Sequence, residues 1–208
     1  MELLNWSSPV PYLFAKDFEG NDKRIRDDGR DFGIVRASYE RSERERFAIG
    51  YLGTNVDGPV YEATVHGIDA HYSTQSGEWS SDLQLLRSKV NGVSGNGAML
   101  NLDYSPGSRI QHHVRLDYFD KDVDINDLGF LQRNDVRGLQ YILRYAMPNS
   151  DGLVRRTRGA VSFERRENVS EGQAVDGGIY WRNKLELAGR NTLTTGFAWI
   201  PERHEDLD

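Results

Sequence analysis

Apolar and polar residues alternate with a period of two over most of this chain, and convincing i, i+3, i+4, i+7 spacing is scarce. The alternation predicts ten strands, at 32–40, 46–53, 60–72, 78–88, 97–104, 109–119, 137–147, 153–165, 174–187 and 192–200. In 137–147, Leu139, Tyr141, Leu143, Tyr145 and Met147 form one face, and Gly138, Gln140, Ile142, Arg144 and Ala146 the other. In 109–119, Ile110, His112, Val114, Leu116 and Tyr118 oppose Gln111, His113, Arg115 and Asp117. Trp79, Leu83 and Leu85 oppose Ser80, Asp82 and Gln84 in 78–88, and Leu100, Leu102 and Tyr104 oppose Met99, Asn101 and Asp103 in 97–104. Strand 174–187 fits less well, because Asn183 shares its apolar face.

Length separates two all-β classes. Soluble strands average about 5–6 residues. Residues 139–147 span roughly 26 Å, or roughly 20 Å of height at a tilt of about 40°, close to the ~25 Å apolar band of an outer-membrane barrel. Trp79, Tyr104, Tyr118, Tyr145, Trp181 and Trp199 near the ends of apolar faces fit a membrane–water boundary, where a ring is greasy at one end and hydrogen-bonding at the other. The same rings also fit ordinary cross-strand packing. The linkers are expected to alternate: short at 41–45, 73–77, 105–108, 148–152 and 188–191, longer at 54–59, 89–96, 121–136 and 166–173, as in an up-and-down barrel. Pairing of Met147 with Leu153 continues the apolar face through Thr157, Gly159, Val161 and Phe163. The fold class read here is an all-β antiparallel meander, a partial transmembrane β-barrel of about ten strands. It comprises an irregular N-terminal segment at 1–31, the barrel segment at 32–200 and a short tail at 201–208.

Composition narrows the function. The chain has 208 residues, a net charge of −6 and no cysteine, and its mean hydropathy is −0.66. No run approaches the roughly 18 apolar residues of a spanning helix. Disulfide frameworks and thiol or Cys-zinc chemistry are excluded, and the acidic balance argues against a nucleic-acid partner.

Asp120, Asp122 and Asp124, followed by Asn126 and Asp127, are spaced like a calcium loop, yet Ile125 stands where an EF-hand needs Gly and Leu131 where it needs Glu. These residues, with Arg133, are read instead as an acidic loop at the outer mouth. Asp69 and His71 share a face that His66 does not, and adjacent His112 and His113 point apart, so no metal set is expected. No nucleophile elbow, phosphate loop or dinucleotide fingerprint is present, and no cofactor or catalytic residue is assigned. The candidate functional residues are the polar-face charges Asp82, Asp103, Arg115, Asp117 and Arg144, placed to line a wet lumen.

The stretch Asp117 to Asp135, with Asn126-Asp127-Leu128-Gly129-Phe130 followed by Arg133 and Asp135, resembles a loop of a bacterial family of unknown function. That family joins an N-terminal family-nine-type carbohydrate-binding domain to a C-terminal outer-membrane β-barrel. Ile49-Gly50-Tyr51-Leu52-Gly53-Thr54-Asn55 is similar to an earlier strand and loop of the same family. The resemblance covers roughly 32–200. It implies a piece of the barrel region, an export signal and sugar-binding domain lying upstream, outer-membrane lipid as a partner and carbohydrate as a solute. The expected function is non-enzymatic handling or passage of a polar solute at the outer membrane. The alternatives are a soluble carbohydrate-binding β-sandwich, with Trp79, Trp181 or Trp199 stacking on sugar, and a glycan hydrolase using Asp82, Asp103 and Asp117.

Overall fold

The computed structural model describes the backbone at 2–7, 12–16 and 22–26, and whole residues at 29–126, 131, 133–148 and 152–203. Among these residues, strands account for nearly all regular structure; a single 3₁₀ turn, Ala188–Arg190, is the exception. The strands are β1 (Glu2–Ser7), β2 (Tyr12–Lys16), β3 (Asp22–Arg26), β4 (Asp31–Ser42), β5 (Arg46–Gly58), β6 (Tyr61–Ser73) and β7 (Trp79–Val90). They continue as β8 (Val93–Tyr104), β9 (Ile110–Phe119), β10 (Val136–Pro148), β11 (Val154–Asn168), β12 (Ala174–Leu187) and β13 (Thr192–Trp199). From β4 to β13 each strand pairs antiparallel with the next, as the ten-strand meander predicts, and the sheet is open.

Three expectations need correction. The segment 1–31 is not irregular: β1 pairs with the free edge of β4, Leu3 opposite Val35 and Trp6 opposite Phe32, and β2 pairs with β3 in a separate hairpin. Short strands flanked by Pro9 and Pro11 show too little alternation to be read alone; β4 supplies the partner edge that makes β1 a strand. The linker alternation also fails. Strand β5 runs on to Gly58 and β8 starts at Val93, so the supposed long linkers 54–59 and 89–96 collapse to the two-residue turns 59–60 and 91–92. Asn91 and Gly92 have φ of 49° and 86°, the left-handed pair that closes a two-residue hairpin in register with strand twist. By the strand ends, one rim of the sheet takes the connections at 43–45, 74–78, 105–109, 149–153 and 188–191, and the other those at 59–60, 91–92, 120–135 and 169–173. Finally, Met147 pairs with Thr157 rather than Leu153, because β10 runs on to Pro148 opposite Arg156, although the apolar face continues through Gly159, Val161 and Phe163 as expected.

Register sorts the side chains into two faces. One belt of direct partners on the apolar face runs Phe47, Tyr72, Ser81, Leu102, Val114, Tyr141, Phe163, Ile179 and Trp199. Phe47 lies one residue inside the end of β5 at the first rim, and Ile179 eight residues inside the end of β12 at that rim. Between those strands the belt climbs roughly 23 Å while crossing roughly 34 Å of sheet, so the strands lean by about 35°. That inclination matches the tilt of strands in barrels.

The apolar face has no second layer among the described residues. Tyr39 is 60%, Leu116 40% and Leu139 39% exposed. Only Val56, Ala63, Phe119, Val123 and Val136 are buried apolar residues, and all but Val123 lie on the other face toward the second rim. There residues 120–126, 131 and 133–135 lie back across the sheet. Val123, 1% exposed, sits against Phe119 and Val136, with Leu86, Met99, Ile125 and Leu131 packed around them. The Asp124 amide donates to Ser88 Oγ at 3.0 Å, and Asn134 Nδ2 donates to the Lys121 carbonyl at 2.8 Å. The segment lies directly on Gly95, where a Cβ would come within 2.1 Å of the Val123 nitrogen. Gly95→Val should therefore lift 120–135 and cost about 1–3 kcal/mol. A lowered thermal midpoint and faster trypsin cleavage at Lys121 and Arg133 are the expected results; an unchanged digestion pattern would refute this docking.

Candidate functional site

The face opposite the leucines carries charge in three adjacent belts. The middle belt runs His71, Asp82, Asn101, Arg115, Gln140 and Glu164 across β6–β11. On one side of it lie Asp69, Gln84, Met99, Asp117, Gly138, Arg166 and Asp176. On the other lie Ser80, Asp103, His113, Ile142, Ser162 and Tyr180. All five candidates read from the sequence sit on this face. Asp82, Asp103, Arg115 and Asp117 are brought together, whereas Arg144 stands apart, between Gln111 and Ala160 nearer the first rim.

These side chains bond in pairs across and along the strands. His71 Nδ1 lies 2.5 Å from Asp82 Oδ1, and His113 Nδ1 lies 2.9 Å from Asp103 Oδ1. Arg115 Nε is 3.2 Å from Asp117, whose side chain is nearly buried, its carboxylate occupying the space that a side chain at Gly138 would fill. Glu164 accepts from Gln140 at 3.3 Å and meets Arg166 at 3.2 Å, and Arg203 reaches Asp176 at 3.5 Å. Apart from Asp69, whose carboxylate lies over Gly50, each carboxylate of the belts thus faces a cation, an imidazole or an amide. Acid–base catalysis by paired carboxylates needs one acid held protonated beside an ionised one, and this arrangement instead balances charge locally.

A cleft of about 560 Å³ opens beside the belts, bounded by Met99, Arg115, Asp117, Phe119, Arg133 and Arg166. The loop residues contribute to its wall differently from the expectation of a free acidic mouth. Asp120 accepts from the Asn96 amide at 2.7 Å and from the Asp122 amide at 3.1 Å, and Asp124 accepts from the Asn126 amide at 3.0 Å. These oxygens cap backbone turns, while Val123, Ile125 and Leu131 turn inward because they have an apolar end of the polar face to cover. Asp127 lies outside the described residues.

On the apolar face, Trp79 and Tyr104 stand at the first rim and stack with centroids 4.5 Å apart. Tyr118 lies next to the second rim, one residue from the end of β9. Trp181 is not at an edge: it lies six residues inside β12, and its Nε1 donates to Tyr145 Oη at 3.2 Å. Tyr145 in turn donates to Asn183 at 3.2 Å, so the misfit Asn183 is satisfied. Tyr51 pairs with His66 at 2.8 Å and His112 with Tyr141 at 2.9 Å. Trp199 ends β13 opposite Ile179.

Residues 41–207 match the family described as a domain of unknown function, DUF5916. The chain belongs to this family. No curated protein and no solved structure matches it. The DUF5916 region takes in β5–β13 and the docked segment 120–135, hence all the polar belts; β1–β3 lie outside it. Within this region, sequence reasoning missed His71, His113, Glu164, Arg166 and Asp176 as members of the polar group. Their faces were readable from parity, but their partners required the register between strands.

Breaking one charge pair should test the balance. Arg115→Ala strands the enclosed Asp117 carboxylate and should destabilise the fold by about 1–3 kcal/mol, with Arg115→Ala/Asp117→Asn recovering most of the loss. Denaturant melts of the four chains read the coupling; a double variant no better than Arg115→Ala would contradict it.

Proposed function

We propose that this chain forms wall of a Gram-negative bacterial outer-membrane β-barrel, with its apolar face toward lipid and its polar face toward an aqueous lumen, and that it passes or handles a polar solute without catalysing its conversion. One observation carries the reading: large apolar side chains are the exposed ones, while the charged belts opposite are half-buried. Water penalises that arrangement, and hydrocarbon favours it. The paired polar tips on the apolar face support the same reading. In lipid a lone hydroxyl or imidazole finds no solvent partner, and Tyr51–His66, His112–Tyr141 and Trp181–Tyr145–Asn183 give each of these side chains a partner on the same face. The apolar faces give way to Asp57, Glu62, Arg87, Lys89, Arg137 and Glu167 toward the second rim, as a band of finite height requires. The family resemblance would imply an upstream export signal and carbohydrate-binding domain, and on that implication a sugar is the preferred solute. A soluble sandwich would need a second sheet over the leucines, and the carboxylate pairing gives no positive reason to prefer hydrolysis.

The chain should aggregate without detergent and become a monodisperse β-sheet protein in micelles. In bilayers, brominated acyl chains should quench Trp181 in a variant retaining that tryptophan alone. Leu100→Arg, in the middle of the apolar face, should cost about 2–4 kcal/mol in lipid. A folded monomer in plain buffer that tolerates Leu100→Arg would overturn the reading.

A further inference from the structure

We infer that the polar face of β10–β12, near the first rim, is a binding site for an acidic saccharide. The assignment deepens the lumen reading, since it concerns the same face, and it draws on residues outside the charge-balanced belts. Arg144 and Arg182 are the direct partners of Ala160 from either side. Their Cα atoms are thus two strand spacings apart, roughly 10 Å, and both guanidiniums can reach over the methyl group between them. Neither has an ion-pair partner among the described residues. In the next row Arg158 lies directly opposite Lys184, a like-charge pairing that costs stability on a sheet. Glu186 is the acid in this group; it bonds Arg158 and lies 4.0 Å from Arg156. Among the described residues one carboxylate stands among these five cations, on a chain of net charge −6, and leaves a local excess of positive charge.

The adjoining surface supplies the second half of the argument. A hollow of about 590 Å³ beside Arg182 is floored by Ala160, Ser162, Gly196 and Ala198, side chains too small to fill it. That volume falls within the range of about 300–1,000 Å³ usual for small-molecule sites. Tyr180 borders the hollow with its ring laid over Gly178, the hydroxyl 3.0 Å and Cε2 3.1 Å from where a Cβ would stand. A ring lying flat against the sheet offers a face to the apolar side of a pyranose, and guanidiniums beside it offer forked donors to a carboxylate or sulfate. A neutral sugar uses the ring alone, and a bare inorganic anion uses the arginines alone. An acidic saccharide uses both.

Isothermal titration of trigalacturonate, maltotriose and sodium sulfate into the folded chain tests this, in micelles or in whichever medium the chain folds. Trigalacturonate should bind about tenfold tighter than maltotriose or sulfate, a difference of about 1.4 kcal/mol, and should weaken as salt screens the cations. Arg144→Gln and Arg182→Gln should each reduce its affinity several-fold without changing the circular dichroism spectrum, and Tyr180→Ala should bring trigalacturonate down to the level of sulfate. Equal binding of trigalacturonate and maltotriose, or unchanged binding in Arg144→Gln/Arg182→Gln, overturns the site. Sulfate binding as tightly as trigalacturonate overturns the saccharide assignment. A chain that folds only in detergent yet binds no anion rejects this site and leaves the barrel reading standing. One that folds in buffer and binds trigalacturonate rejects the barrel reading and keeps the site.

Discussion

Register between neighbouring strands is the constraint on which this structure rests. Every strand from β4 to β13 presents alternate residues to alternate faces, and each inherits its parity from the strand before it. A slip of one residue in any hairpin would turn all later leucines and tyrosines onto the charged side. The short connections protect against this: turns 59–60 and 91–92 leave no slack, and Asn91 and Gly92 adopt the φ values that a two-residue closure demands. With no second layer to correct errors, hairpin closure and cross-strand pairing have to specify the alignment themselves.

The long connection works in the opposite way. The described part of 120–135 is tied down by side-chain bonds to backbone, from Asn134 and Ser88, and by three aliphatic side chains inserted over Phe119 and Val136. It gives the sheet a compact apolar cluster and narrows the polar face at the second rim. The open part of that face, toward the first rim, is where the small side chains and unneutralised arginines lie. Packing at one end and the proposed recognition chemistry at the other are thus separated along the strands.

Much of this was legible in sequence, for a physical reason. Period-two alternation is a property of each strand alone, so the ten strands and the faces of Asp82, Asp103, Arg115, Asp117 and Arg144 follow from local pattern. What depends on two strands at once was not legible. His71 meets Asp82, and Asp103 meets His113, only because the turns at 74–78 and 105–109 set particular registers. Strand β1 is ordered by an edge about thirty residues away. The inward turn of Val123 could not be seen from a segment whose charges outnumber its aliphatic residues. The extent of β5 and β8 is understated by sequence because Asn55, Asp57, Gly58, Gly95 and Asn96 are weak strand formers in isolation and read as linker.

The distribution of charge along the polar face has one more effect. Aspartates gather on β6–β9 and arginines on β10–β12, so the sheet carries an electric field within its own plane, directed from the arginine flank to the aspartate flank. Screening confines it to about 10 Å above the strands at moderate salt, which is the depth of a sugar or two. A dipolar molecule moving across that surface feels a torque and travels with its negative end toward the later strands. In the proposed lumen, that field would orient a polar solute as well as attract or repel it.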